Sequence, residues 1–219
     1  MKKFSSKIVA ALFVLIVLVS CQQGNPKILI IGDSTSLGYT PFVKEDLKEV
    51  ADVFHNPGNA QHTGTGLENI EAWIGDEKWD IIQFNWGLWD LCYRHPDSKE
   101  QGKRDKINGT ITFSIDEYRN NLDSIVKLIK KKSDAKLVFV TSTYVPENEA
   151  GRYQEDVIRY NQAAIEVMKN NGVEINDIFE KSVSVHKRHG RDTNDVHYSK
   201  EGYDEIGKQI SNFLKKEIE

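Results

Sequence analysis

Little in this chain points to covalent staples, membrane spans or nucleic acid. Two cysteines, Cys21 and Cys92, in 219 residues are too few for a disulfide framework, so stability has to come from a packed core. No apolar run reaches the roughly 18 residues that cross a bilayer; the longest, Ile8 to Val19, has twelve. Acidic residues outnumber basic ones, 33 to 29, and no basic stripe stands out, which argues against a nucleic-acid partner. The segment after the first buried run offers the hydroxyls of Thr35 and Ser36 but no glycine-rich phosphate cradle, so no flavin or other cofactor is expected. His186 and His189, with Asp192 following, find no third ligand at a convincing spacing, so no metal site is expected either. There is no internal repeat and no low-complexity segment.

What is present begins with an export pattern. Lys2, Lys3 and Lys7 precede the apolar run, which ends in Leu18-Val19-Ser20-Cys21. Residues 1–20 are expected to be a signal peptide. The last four residues resemble a bacterial lipobox, which implies lipidation of Cys21 as the mature N-terminus. Residues 21–26 then form a lipidated tether and 27–219 a single domain. Lipid attachment would anchor the protein to the membrane of a bacterial cell envelope. The chain from Cys21 loses three lysines and no acid, so 26 basic residues face 33 acidic ones, a balance of −7.

Short continuous apolar runs alternate with amphipathic patterns. Lys27–Ile31, Asp52–His55, Trp79–Phe84, Lys136–Thr141 and Val173–Ile175 read as strands buried on both faces. Phe42–Val50, Leu67–Ile74, Ile115–Lys132, Gln154–Lys169 and Ser199–Lys216 carry helical spacing. Such alternation predicts an α/β fold, a three-layer α/β/α sandwich around a parallel five-stranded sheet. Reactive groups in such sheets gather beyond the carboxyl ends of the strands. The polar stretch 93–114, after the third strand, is long enough to be functional or mobile.

Two short segments meet that positional rule. Gly32-Asp33-Ser34 follows the first buried strand, with the serine on a turn into helix and its N–H free to face a developing oxyanion. Asn194-Asp195-Val196-His197 precedes the last helix, on the same sheet edge. A serine nucleophile needs a base, and a histidine oriented by an acid supplies it. Each alone has a structural reading, a helix cap for the serine and a core role for the histidine; the pairing is what points to chemistry.

These two blocks resemble the first and fifth sequence blocks of the SGNH (GDSL-type) hydrolases. Gly87-Leu88-Trp89-Asp90, after the Asp80-Ile81-Ile82 strand, resembles the third, and Asn59 to Leu67 occupies the place of the second. The resemblance spans essentially the whole domain. It implies a flavodoxin-like sandwich and metal-free ester hydrolysis, with Ser34 as nucleophile and His197 as base. The family pattern puts the acid three residues before the histidine, where this chain has Asn194. Asp195, two before, faces the same side of an extended chain and either orients the imidazole or leaves a dyad. Trp89 replaces the oxyanion asparagine, so Asn85 is expected to supply that amide, with backbone N–H groups from Ser34 and Gln61. Trp89 and Tyr93 are expected at the rim, where aromatic faces stack on sugars. The expected activity is removal of small acyl groups, acetyl above all, from carbohydrates or other small esters. A non-catalytic carbohydrate-binding lipoprotein and a lysophospholipase or thioesterase are the other readings. No feature sets an oligomeric state.

Overall fold

The computed structural model describes residues 24–218; the expected signal peptide and Cys21 lie outside them. In chain order the elements are β1 (Lys27–Ile31), α1 (Ser34–Leu47), β2 (Asp52–His55), α2 (Thr63–Ile74), β3 (Ile81–Phe84), β4 (Tyr93–Arg94), β5 (Thr110–Ile111), α3 (Ile115–Lys132), β6 (Lys136–Val140), α4 (Gln154–Asn170), β7 (Glu174–Asn176), α5 (Phe179–His189) and α6 (Lys200–Ile218). Five strands form one parallel sheet in the order β2-β1-β3-β6-β7. Counting only those five, the order is 2-1-3-4-5, that of the flavodoxin-like sheets.

Strand periodicity explains the layers. Leu29 and Ile31 of β1, Ile82 and Phe84 of β3, and Leu137 and Phe139 of β6 pack on the face covered by α2, α3 and α4. Ile28, Ile30, Ile81, Val138 and Val140 point to the other face, against Tyr39, Val43 and Leu47 of α1 and Ile206, Ile210 and Leu214 of α6. Both faces of the central strands are therefore apolar, which is why they read as unbroken runs rather than alternations. The α1–α6 contact is close at Gly38, where a Cβ would sit 2.2 Å from the Tyr203 ring. Glycine is required there by the approach of the second helix.

The long helix α3 starts on a complete capping box: Ser114 Oγ faces the Glu117 N–H, and the Glu117 carboxylate takes the Ser114 N–H at 2.8 Å. Three helices depart from the sequence expectation. Helix α1 begins at Ser34, eight residues ahead of the Phe42 pattern, because Asp33 accepts the Thr35 N–H at 2.9 Å and starts it; Pro41 falls in its interior. Helix α2 starts at Thr63 rather than Leu67, capped by the His62 ring. Helix α5 has no counterpart among the helical patterns read from the sequence. Among the described residues no helix is long and apolar enough to cross a membrane.

The sheet order changes direction at β1: the chain passes to β2 on one side and to β3 on the other. A crevice at the carboxyl ends of β1 and β3 is the consequence, and the Ser34 turn lies on it.

Candidate active site

Ser34 is the first residue of α1 and is half-buried. Its N–H belongs to the first helical turn, where no intrahelical acceptor exists and the helix end is positive. Beneath it Asp33 is fully buried. Burial pushes its carboxyl above the usual range, opposed by the hydrogen bond from Thr35 and the charge of Arg152.

His197 lies in the segment entering α6. That segment is held by the bridge between Gly190 and Tyr198 and by the Arg191 N–H donating to the His197 carbonyl at 2.9 Å. His197 Nε2 stands 2.8 Å from Ser34 Oγ. On the far side of the ring, Nδ1 is 2.5 Å from Asp195 Oδ1, which also accepts the His197 backbone N–H at 3.0 Å. Asn194 is exposed, so it is Asp195 that reaches the imidazole. The Asp195 backbone is itself pinned: His186 Nε2 donates to its carbonyl at 2.7 Å. Burial raises the Asp195 carboxyl, but hydrogen bonds from the His197 ring and backbone, with the charges of His197 and Arg191, outweigh it. The net shift is downward, which favours the carboxylate. A carboxylate on Nδ1 places the ring proton there and leaves Nε2 to accept from the serine hydroxyl.

The three side chains open into a cleft of about 320 Å³, also lined by Asn59, Trp89, Arg94 and Arg152. Three residues expected here stand elsewhere. Asn85 is buried, and its Nδ2 donates to the Val140 carbonyl at 2.7 Å, so the β3–β6 pairing has taken the amide expected at the oxyanion. The Gln61 N–H, in a left-handed backbone (φ 49°), donates to Asn59 Oδ1 at 2.8 Å and is equally occupied. Tyr93 packs edge-on against Tyr153 and its hydroxyl donates to Asp156, away from the cleft. Trp89 does line the cleft, with the Arg94 guanidinium stacked over its ring at 4.8 Å.

Asn59 is the residue that the sequence pattern passed over. Its Oδ1 is held by the Gln61 N–H, so Nδ2 is left without a protein partner among the described residues. The N-x-Q turn is the local signal, because an asparagine accepting the N–H two residues on is an Asx-turn. A second serine–histidine pair, Ser36 and His55 at 2.7 Å, lies on the same turn. Its serine is 1 % exposed and also donates to the Asp33 carbonyl, so it braces the turn. Among the described residues no three His, Cys, Asp or Glu side chains cluster as metal ligands would.

No protein-family profile matches the sequence, and no curated protein matches it. Solved structures do. A lipase/acylhydrolase from Enterococcus faecalis aligns at TM-score 0.69 and 20% identity, over 87% of this chain and 96% of that one. The acetylxylan esterase Axe2 from Geobacillus stearothermophilus aligns at 0.65 and 17%, over 88% and 94%. A GDSL-like lipase from Bacteroides thetaiotaomicron aligns at 0.63 and 14%, over 87% and 88%. The likeness is one of architecture and runs nearly end to end: the chain has the fold of the GDSL-type esterases and acylhydrolases.

Proposed function

We propose that the protein is a serine ester hydrolase that removes small acyl groups, acetyl foremost, from carbohydrates. The observation that carries the reading is the continuous chain Asp195–His197–Ser34, with hydrogen-bond distances of 2.5 and 2.8 Å, opening into a cleft. The structural likeness to an acylhydrolase and to an acetylxylan esterase supports it.

In this mechanism Ser34 Oγ attacks the ester carbonyl carbon while His197 Nε2 takes its proton. The carbonyl oxygen becomes an oxyanion, for which the Ser34 N–H and Asn59 Nδ2 are the proposed donors. Collapse breaks the carbon–oxygen bond to the alcohol, which leaves with the proton from His197. Water, deprotonated by the same ring, then attacks the acyl-serine; the bond to Ser34 Oγ breaks, the serine takes the proton back from His197 and the acid is released. Asp195 holds the ring and stabilises the imidazolium formed in both halves.

A lysophospholipase would need a long apolar groove, and this cleft is lined by arginines instead. The test is hydrolysis of p-nitrophenyl acetate by the purified protein beside Ser34→Ala, with fluorophosphonate labelling of both. Turnover should fall by about four orders of magnitude or more in the variant, and only the wild type should be labelled. Equal turnover, or a wild type that resists the label, would leave a carbohydrate-binding protein on the same fold.

The proposed setting is the bacterial envelope, with Cys21 lipidated after export, supported by the Leu18-Val19-Ser20-Cys21 pattern. Metabolic labelling with a radioactive fatty acid should mark the protein and be lost in Cys21→Ala. Unchanged labelling would refute the anchor.

A further inference from the structure

Four arginines, Arg94, Arg104, Arg152 and Arg191, line the cleft that holds Ser34 and His197. Their counter-charges do not match them in number. Arg191 shares Asp195 with the His197 ring. Arg104 and Arg152 both converge on the fully buried Glu149, at 2.5 and 2.8 Å, and Arg104 also stands 3.9 Å from the exposed Glu100. Arg94 has no carboxylate within ion-pair distance among the described residues. It is fixed by neutral groups: Nε donates to Thr112 Oγ1 at 3.3 Å, Nη1 to the Gly102 carbonyl, and the plane stacks on Trp89.

The guanidinium of Arg94 is thus oriented without being neutralised. Arg152 is oriented as firmly, with Nε on the Leu88 carbonyl, but its Nη1 is paired with the Glu149 carboxylate. In both residues Nη2 makes no hydrogen bond among the described residues. Planar donors positioned and left free beside a nucleophile are suited to an oxyanion of a ligand. A neutral acetyl sugar would leave the Arg94 charge half-desolvated and unanswered, an arrangement that costs stability with no return.

We propose that the substrate is the acyl ester of an anionic carbohydrate, its carboxylate or sulfate held by Arg94 and Arg152 while the ester carbonyl faces Ser34. This rests on the hydrolase reading above and adds the substrate class. Trp89, stacked under Arg94, fixes the guanidinium plane and so serves as a positioning residue.

The experiment compares kcat/KM on O-acetylated uronic-acid oligosaccharides, O-acetylated sulfated oligosaccharides and O-acetylated neutral xylo-oligosaccharides. Carboxyl-reduced and desulfated versions of the first two tell the two anions apart. The wild type should prefer one anionic class by about tenfold or more, the worth of a charged hydrogen bond. The preference should shrink as salt rises from 0.05 to 0.5 M, in roughly the range where charges are screened. In Arg94→Ala the anionic-to-neutral ratio should collapse toward one, with Arg94→Lys keeping part of it. Calorimetric titration of Ser34→Ala with the deacetylated oligosaccharides reads the same preference without turnover, and circular dichroism checks that each variant is folded. Equal kcat/KM on neutral and anionic esters, or a ratio untouched in Arg94→Ala, overturns the inference. Loss of Ser34-dependent p-nitrophenyl acetate hydrolysis instead overturns the hydrolase reading, so the two failures are separable.

Discussion

Asn59 uses one end of its amide inside the protein and leaves the other to the cleft. With Oδ1 fixed by the Gln61 N–H at 2.8 Å, the side chain cannot flip without losing that bond, so Nδ2 is presented in one orientation. A donor that needs no rearrangement as charge develops is the kind that lowers a barrier. Asn59→Ala should therefore reduce kcat on p-nitrophenyl acetate by about a hundred- to a thousandfold with little change in KM. A drop confined to KM would assign Asn59 to substrate binding alone. Ser34 and His197 were legible in the sequence because each borders a strand or helix whose position the apolar pattern defines. The second donor was not legible. Which amide is free depends on strand pairing: Asn85 follows directly on Phe84, and the carbonyl of Val140 takes its Nδ2. The arginines stayed hidden for a similar reason, since they converge from separate stretches around residues 94–104, 152 and 191.

At the scale of elements, the stretch 93–114 is a built wall. Strands β4 and β5 pair antiparallel, Tyr93 with Ile111 and Arg94 with Thr110. The wall is tied to the segment before α4 by the Tyr93 N–H on the Gly151 carbonyl at 2.7 Å and the Lys106 N–H on Ala150 at 2.8 Å. The Glu149 carboxylate, 0 % exposed, is the ionic centre of that junction, joining Arg104 of the wall to Arg152. Glu149→Gln would leave Arg152 without a counter-charge and Arg104 with only the 3.9 Å pair to Glu100, and breaking a buried pair from one side costs about 3–5 kcal/mol. Lower thermal stability is expected, with faster hydrogen exchange at the Tyr93 and Lys106 amides than in the sheet. A variant as stable as the wild type would show that solvent already neutralises the arginines. Strands were legible here because five short apolar runs can only be buried in a shared sheet. The wall and α5 were not: two-residue strands carry no periodicity, and α5 buries only Ser182, Val185 and His186.

For the whole molecule, one buried acid ties stability to pH. Asp90 joins the β3 loop to α2, accepting the Thr63 N–H at 2.9 Å and its hydroxyl at 2.5 Å, while Asn121 of α3 donates to the same hydroxyl oxygen. Burial raises its carboxyl to about 7 despite the Thr63 hydrogen bonds. An unfolded aspartate releases its proton near about 3.9. Between those values the folded chain holds a proton that the unfolded chain has lost. Asp90 therefore favours folding at acid pH, and that contribution fades by up to about 1.4 kcal/mol per pH unit as pH rises toward 7. Relative to the wild type, Asp90→Asn should grow more stable between pH 4.5 and 8 in urea titrations. Parallel profiles for the two proteins would show that Asp90 stays ionised.

Because all five sheet strands are parallel, the domain has a direction, and the cleft sits at its leading end. The chain enters β1 at the trailing end, through Lys27. Five residues, 22–26, separate Lys27 from Cys21 and can reach at most about 18 Å when extended. If Cys21 carries the proposed lipid, the trailing end would be moored close to the bilayer and the cleft would face outward, a strand's length of about 17 Å further on. The geometry favours polymers arriving from the surroundings over lipids lying in the anchoring leaflet.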